Sequence, residues 1–485
     1  MAGERDVNTL DSYKINVSGI IVDVTIYTEE EESVPIYNIS ILNISRATKI
    51  LLAKLREEFV SRINVGAIEL SEETGFEDIK ERFKEEILVL IKKYFPNIDQ
   101  RTSDLLVNHV IQQNVGLGNI EILLKDANLE EIVINSAEEP VWVYHRKHGW
   151  LKTNVMLDNE ARIRHYATII GRDVGKEITL LKPLMDAHLK TGDRVNATLA
   201  PISTDGNTIT IRKFSEKPWS ITDLIKSRTM NYDTAAWVWL AIQNELSMLI
   251  SGGTGSGKTS TLNAIANFFP PNQRIISIED TRELTLPNNL HWVPLETRLP
   301  NPEGKGEITM LDLVVNSLRM RPDRIIMGEI RRKREAEVLF EAMHTGHSVY
   351  ATLHANNAEE TITRLTNAPI EVPKAVISAL SLILVQNRNR RTGYRRTLQL
   401  AEITSKGDAE VLMQLDVAKD TFNYIKAPKR VVETLNLFTG MTSQQIDDNL
   451  KEKKRILRWL VEKDITDVHK IGLIVSKYYA GKLKI

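Results

Sequence analysis

The chain reads as an α/β protein of several domains, and three observations lead there. At 485 residues it is too long for one core, since a domain averages roughly 150 residues. From about Ile221 onward, β-branched apolar runs alternate with helical periodicity, the pattern of strands joined by helices. One of those runs, Leu246–Ile250, opens onto Ser251-Gly252-Gly253-Thr254-Gly255-Ser256-Gly257-Lys258-Thr259, and a helical pattern follows at Leu262, Ala264, Ile265 and Ala266.

Composition bounds the class. A hydrophobic content of 42% and a charged content of 26% are ordinary for a globular protein. The formal charge of -1 gives no bulk attraction to nucleic acid or to an anionic membrane. With no cysteine there are no disulfides and no thiolate metal sites, which fits a reducing compartment. The polar opening Met1–Asp11 does not read as a secretory leader. The longest uncharged apolar run, Ala375–Gln386, is shorter than the ~20 residues that span a bilayer, so it reads as a buried helix or strand. The expectation is a soluble protein with any membrane role peripheral.

In chain order, residues 1–14 read as a polar tail. Ile15–Ile44 reads as β structure, interrupted by the acid run Glu29–Glu32 as a solvated hairpin loop. Ala47–Val115 turns helical (Ile50, Leu51, Leu55, Phe59; then Phe83, Ile87, Leu90, Ile91, Tyr94), with Pro96 closing one helix and Ser103-Asp104 opening another. Gly116-Leu117-Gly118 marks a boundary. Short strands follow at Glu131–Asn135, Val141–Tyr144 and Trp150–Thr153, then a helix near Asn159–Gly171. A hairpin pairs Arg194–Leu199 with Thr208–Phe214 across Asp205-Gly206. A linker, Ser215-Glu216-Lys217-Pro218, leads to the strand–helix region, with further strands at Arg274–Ile278, Arg324–Met327 and Val349–Leu353. Beyond Lys426 the pattern is helical: Val431–Leu437, Ser443–Lys463 and Val468–Tyr479. The expected divisions are an α/β unit at 1–115, an α+β domain at 116–214, a linker at 215–222, an α/β phosphate-loop domain at 223–426 and a helical extension at 427–485.

Gly252 to Thr259 has the spacing G-x-x-x-x-G-K-T between a strand and a helix. Glycines let backbone N–H groups close on phosphate oxygens, and a helix N-terminus adds partial positive charge. The expected binding set is Gly252, Gly253, Thr254, Gly255, Ser256, Gly257, Lys258, Thr259 and Ser260. Lys258 would reach the β- and γ-phosphates and the Thr259 hydroxyl would ligate Mg²⁺. That implies a nucleoside triphosphate site. The other strands deliver polar residues at their ends: Glu279-Asp280, Glu329 after Gly328, and His354. Parallel sheets gather ligands at those ends. The aspartate usual in phosphate-loop enzymes is absent after Met327, which makes Glu329 the candidate to polarise water. Glu279 is a second acidic candidate, as a catalytic group and as a holder of Mg²⁺ through water. The histidines of His344–His354 invite a metal reading, but they lack cysteine and a helical H-E-x-x-H pair. His354 fits better as a partner of phosphate or of a carboxylate. His347 reads as a nucleotide contact or as a structural histidine.

Taken together, the phosphate loop, Ile278-Glu279-Asp280, Met327-Gly328-Glu329-Ile330-Arg331, and Thr345-Gly346-His347 with Thr352-Leu353-His354 resemble the four motifs of the secretion ATPase superfamily. That superfamily serves type II and type IV secretion, type IV pili and the archaellum. The resemblance covers about Asn119 to Ile403, and the style of Ile278–Leu284 and Gly306–Met310 looks archaeal. It implies an ATPase with ATP and Mg²⁺, built as a homo-hexamer. A RecA-like motor domain would carry a PAS-like N-terminal domain across the short linker. Arginines of that domain would reach the nucleotide when the ring closes, and the matching positions are Arg194 and Arg212. The implied partner is a polytopic membrane platform protein of a secretion or pilus system, with the ATPase at the cytoplasmic face of the membrane.

Two departures stand out. Arg331 is followed by Arg332-Lys333-Arg334 where many members carry an aspartate, and the tetracysteine insertion of many bacterial type II members is missing. Archaellum assembly is the alternative within the superfamily. A nucleic-acid translocase is disfavoured by the near-neutral charge, and no nucleic-acid partner is expected. The basic stretch Asn387–Arg396 reads as a solvated hairpin turn around Thr392-Gly393.

Overall fold

The structure is a computed structural model that describes residues 8–484 apart from 18, 31, 42–47, 49–50, 53, 56–57, 59–75, 115–116, 190, 215–216 and 301–303. Parts of the helix expected after Ala47 and of the linker at 215–222, and Gly116 of the expected boundary, therefore lie outside the described residues. Two compact units divide the chain, Met1–Glu216 and Lys217–Ile485.

The first unit is built on strands β1 (Asn8–Val17), β2 (Ile20–Thr28), β3 (Ile36–Ile41), β4 (Leu129–Ile134), β5 (Trp142–His145), β6 (Gly149–Thr153), β7 (Leu184–His188), β8 (Arg194–Thr198) and β9 (Thr208–Arg212). They form one sheet in the order β1-β2-β3-β6-β5-β4-β9-β8-β7. Only β3 and β6 run parallel to each other. That pair joins a strand from before the expected boundary to one from after it. Alternation along β2 and β4 buries Val22, Val24, Ile26, Ile132 and Ile134 on one face. Helices Phe76–Tyr94 and Gln100–Asn114 close a small core of their own around Leu55, Ile87, Leu90 and Val107.

A buried carboxylate ties the amino-terminal strands to the rest of this sheet. Asp126 is fully buried, and its Oδ2 accepts hydrogen bonds from Tyr13 at 2.5 Å and Tyr37 at 2.6 Å. Its Oδ1 accepts the backbone N–H of Asn128 at 2.8 Å. Burial, and then the carboxylate beside them, raise both phenols above their usual range, so each remains a donor.

The second unit holds β10 (Met248–Gly252), β11 (Arg274–Glu279), β12 (His291–Glu296), β13 (Arg324–Met327), β14 (Ser348–Leu353), β15 (Leu382–Arg388), β16 (Arg395–Ile403), β17 (Ala409–Asp416) and β18 (Thr421–Tyr424). The order is β12-β11-β13-β14-β10-β15-β16-β17-β18. Strands β12 to β15 in that order are all parallel, and β16 to β18 extend the sheet antiparallel. Both faces are covered, as a parallel sheet requires. Met248 and Ile250 enter one core with Tyr350, Leu382 and Leu384. Leu249 enters the other with Ile276, Ala351, Ile383 and Val385. Burying each such aliphatic side chain contributes about 1.5–3 kcal/mol. The run Ala375–Gln386 divides between a short helix, Lys374–Ile377, and β15.

Helices Arg430–Thr439, Ser443–Glu462 and Val468–Tyr479 pack onto the first of these cores through Leu435, Leu450, Leu457, Ile471 and Val475. Trp239 stacks on Phe268 with ring centroids 4.7 Å apart, and its Nε1–H donates to Tyr479 Oη at 3.0 Å. That hydroxyl in turn donates to Phe268 O at 2.7 Å. Among the described residues no helix is long and apolar enough to cross a membrane.

Candidate nucleotide site

Strand β10 ends at Gly252, and the helix Lys258–Ile265 begins with Gly257 in the left-handed conformation, φ 91°. A Cβ at Gly252 would lie 2.4 Å from both Gln386 O and Ser256 Oγ, so only glycine lets the loop turn this tightly against β15. Inside the turn, Gly253 O accepts from Ser256 Oγ at 2.8 Å and from Lys258 Nζ at 3.0 Å. Lys258 is 8% exposed. Thr259 and Ser260 follow on the first turn of the helix, half-buried.

The register of the sheet brings the strand-end candidates to this loop. Ser251 on β10 pairs with Leu353 on β14, which sets His354 beside the loop. His354 Nδ1 lies 3.3 Å from Lys258 Nζ, and its Nε2 lies 3.1 Å from Glu329 Oε1. An ammonium can only donate, so Nδ1 is the acceptor and the ring proton sits on Nε2, facing the carboxylate. Burial, and then the Lys258 charge, hold the imidazole below its ordinary 6.5, with Glu329 opposing them. Arg331 bonds Glu329 Oε2 through Nε at 2.9 Å and Nη2 at 2.8 Å, and also pairs with Asp280. Lys258, His354, Glu329, Arg331 and Asp280 thus form one continuous polar chain.

Glu279 and Asp280 are adjacent at the end of β11, and they turn to different surroundings. Glu279 is 2% exposed, and its Oε1 accepts the N–H groups of Glu283 at 2.8 Å and Leu284 at 3.0 Å. Its Oε2 is buried with no hydrogen-bond partner. Burial pushes this carboxyl up to about 7, against the pull of the two amides.

His347 goes elsewhere. It precedes β14, at the end opposite His354, and about 20 Å of extended chain separates the two. Its ring nitrogen Nδ1 lies 3.2 Å from Ala342 O and 3.2 Å from Thr345 Oγ1, so it closes the end of helix Lys333–His344. Arg194 and Arg212 lie on the first unit, directly opposite each other on β8 and β9. Both are exposed, and Arg194 pairs with Asp186 at 3.0 Å. Glu335 Oε2 accepts the backbone N–H groups of Arg331 at 3.1 Å and Arg332 at 3.0 Å.

Asp280 stands beside Glu279 in the sequence reading, whereas Arg331 and Arg395 carry no role there. Arg331 and Asp280 join the polar chain. Arg395, on the basic hairpin, donates from Nε to Gly255 O at 3.0 Å. A run of arginines around a Thr-Gly turn carries no signal for that contact.

The donor set suits a nucleoside triphosphate and a hard cation. The loop turns onto a helix N-terminus that suits an anion, and the Thr259 hydroxyl and the buried, unpartnered Glu279 Oε2 are oxygen donors. Among the described residues no three His, Asp or Glu side chains converge to hold a metal. A Mg²⁺ here would take most of its oxygen ligands from phosphate and water, its usual habit in such sites.

Fold and site define a phosphate-loop α/β protein with a His–Glu pair at the loop. Residues 119–436 match the family model described as Type II/IV secretion system protein. The chain belongs to that family, the secretion ATPase superfamily its motifs resemble. An uncharacterized protein of Methanocaldococcus jannaschii is 38% identical over 361 residues, 71% of this chain and 46% of that protein. The chain thus spans about half the length of that relative. The Type IV secretion system protein PtlH of Bordetella pertussis is 28% identical, over 56% of this chain and 89% of that protein. Among solved structures, the Legionella pneumophila ATPase DotB aligns with a TM-score of 0.45 at 19% identity, over 75% of this chain and 95% of that one.

Proposed function

We propose that the protein is a hexameric, Mg²⁺-dependent ATPase that converts ATP hydrolysis into domain motion and so drives protein secretion or pilus-type filament assembly. In this reading the second unit is the RecA-like motor and residues 116–214 of the first are a PAS-like domain. The observation that carries it is the chain Lys258–His354–Glu329 beside the phosphate loop. Lys258 leaves Gly253 O to hold the β- and γ-phosphates. Glu329, oriented by His354 and Arg331, takes a proton from water as the water oxygen bonds to the γ-phosphorus. The bond from that phosphorus to the β–γ bridging oxygen breaks, and ADP and inorganic phosphate leave. Thr259, and Glu279 through water, would hold Mg²⁺, which supplies charge neutralisation on the phosphates. Arg194 and Arg212 would complete the site as arginine fingers on closure, a contribution of about 10³–10⁵ in rate in such enzymes.

Family membership and the relative named for type IV secretion support a polytopic membrane platform protein as partner. The working place would be the cytoplasmic face of the membrane. The test is steady-state ATPase activity with Lys258→Ala as control, with and without cytoplasmic loops of a platform protein, anionic vesicles or single-stranded DNA. Activity in the wild type, its loss in Lys258→Ala and stimulation by platform loops are expected. Stimulation by DNA alone would overturn the secretion reading. Unchanged turnover in both Arg194→Ala and Arg212→Ala would remove the arginine fingers from it.

A further inference from the structure

The hairpin read from sequence as a solvated turn lies against the phosphate loop. Strand β15 pairs with β10 so that Gln386 stands opposite Gly252. Two residues further on, Arg388 ends β15, and it faces Arg395 at the start of β16. Both guanidinium side chains reach the loop. A Cβ at Gly255 would lie 3.1 Å from an Nη1 of Arg388, and one at Gly257 would lie 3.5 Å from Cδ of Arg395. Arg395 Nε donates to Gly255 O at 3.0 Å.

The neighbouring Arg396 is paired with Asp420, at 2.7 Å and 3.0 Å. The base of the hairpin is held by Thr229, whose carbonyl accepts the Thr397 N–H at 2.6 Å and whose hydroxyl donates to Arg395 O at 3.1 Å. The two arginines are therefore set on a fixed pair of strands, beside the loop segment Gly255–Gly257.

We propose that Arg388 and Arg395 are phosphate-binding residues of the same chain, which grip the polyphosphate of the nucleotide from the side of the loop away from His354. This rests on the nucleotide reading of the loop and adds to it. Lys258 then supplies one of three positive charges at the phosphates. The grip needs at least a diphosphate, because a single α-phosphate offers too little charge and reach to engage both side chains.

The test is equilibrium binding of fluorescent methylanthraniloyl derivatives of ATP, ADP and AMP to the full chain. The proteins are wild type, Lys258→Ala, the double variant Arg388→Gln/Arg395→Gln, and Arg395→Lys, with thermal melting to check folding. The double variant should bind the ATP and ADP probes about tenfold or more weakly, with AMP unchanged. Arg395→Lys keeps the charge, loses the Nε–H donor and should retain most of the affinity. Unchanged ATP and ADP affinity in the double variant, with Lys258→Ala impaired, would overturn the arginine grip and leave the nucleotide site standing. Equal loss for all three probes, with no recovery in Arg395→Lys, would also overturn it, by showing that the arginines only brace the loop. If the double variant does not fold, Arg395→Lys and the single Arg388→Gln decide by the same comparison. A wild-type protein that binds none of the probes would overturn the nucleotide reading along with it.

Discussion

The Nε2 of His354 lies 3.1 Å from Oε1 of Glu329, and Lys258 on the other side of the ring decides that this nitrogen holds the proton. The histidine therefore orients the carboxylate as a donor and leaves it able to accept a proton from water.

That arrangement predicts the behaviour of Glu329→Gln. The amide fills the same space and still meets His354, but it cannot take a proton. ATP affinity should stay within about threefold of wild type while turnover falls by about 10²–10⁴-fold, the usual range for a lost general base. Equilibrium binding and steady-state turnover on one preparation check it, and turnover near wild type would shift the base role to Glu279.

The pH profile should report His354. Its folded value is depressed, so the imidazole is neutral at neutral pH and gains a proton only on the acidic side of 6.5. Protonation would place a cation against the Lys258 ammonium and remove the acceptor at Nδ1. Turnover should hold through neutrality and fall on acidification, and His354→Gln should remove that acid limb. A kcat profile recorded for both proteins decides the matter.

Glu279 predicts a stability effect of opposite sense to an ion-paired carboxylate. Its folded value is about 7 against 4.5 for the free side chain. Between those limits the folded protein holds a proton that the unfolded chain has lost. Stability is fully present below pH 4.5 and is lost as pH rises through about 7, by an order of ~3 kcal/mol. Glu279→Gln should flatten this dependence. Melting temperatures at pH 6 and pH 8 for the two proteins would show it, and parallel curves would refute it.

Asp126 predicts a structural defect confined to the first unit. Asp126→Ala leaves the hydroxyls of Tyr13 and Tyr37 without their buried acceptor. The cost should be about 2–4 kcal/mol. Limited proteolysis should release the strands β1 to β3 from the variant sooner than from wild type. The nucleotide affinity of the second unit should stay unchanged.

Much of the second unit was legible in the sequence because its signals are local. The strand Arg324–Met327 and the helix Val468–Tyr479 fall where periodicity places them, and the phosphate loop announces itself by spacing. Strand β10 runs two residues beyond the apolar pattern, through Ser251 and Gly252, because β15 continues to pair with it. What stayed hidden depends on distant pairing or on side-chain direction. Asp126 meets Tyr13 from 113 positions away. Glu279 and Asp280 are adjacent acids, yet β11 ends between them, and one is sealed in while the other meets Arg331. Arg395 reaches Gly255 across 140 positions.

The hydrogen bonds of Tyr479 also bear on where this chain can be cut. Its hydroxyl sits between Trp239 and the carbonyl of Phe268, immediately behind the helix that starts at Lys258. The last three helices are thus the rear wall of the nucleotide-bearing unit. A fragment ending at 426 would lay bare an aromatic stack and a broad greasy face, so it would aggregate, and domain swaps between relatives should keep the carboxyl-terminal segment with its own core.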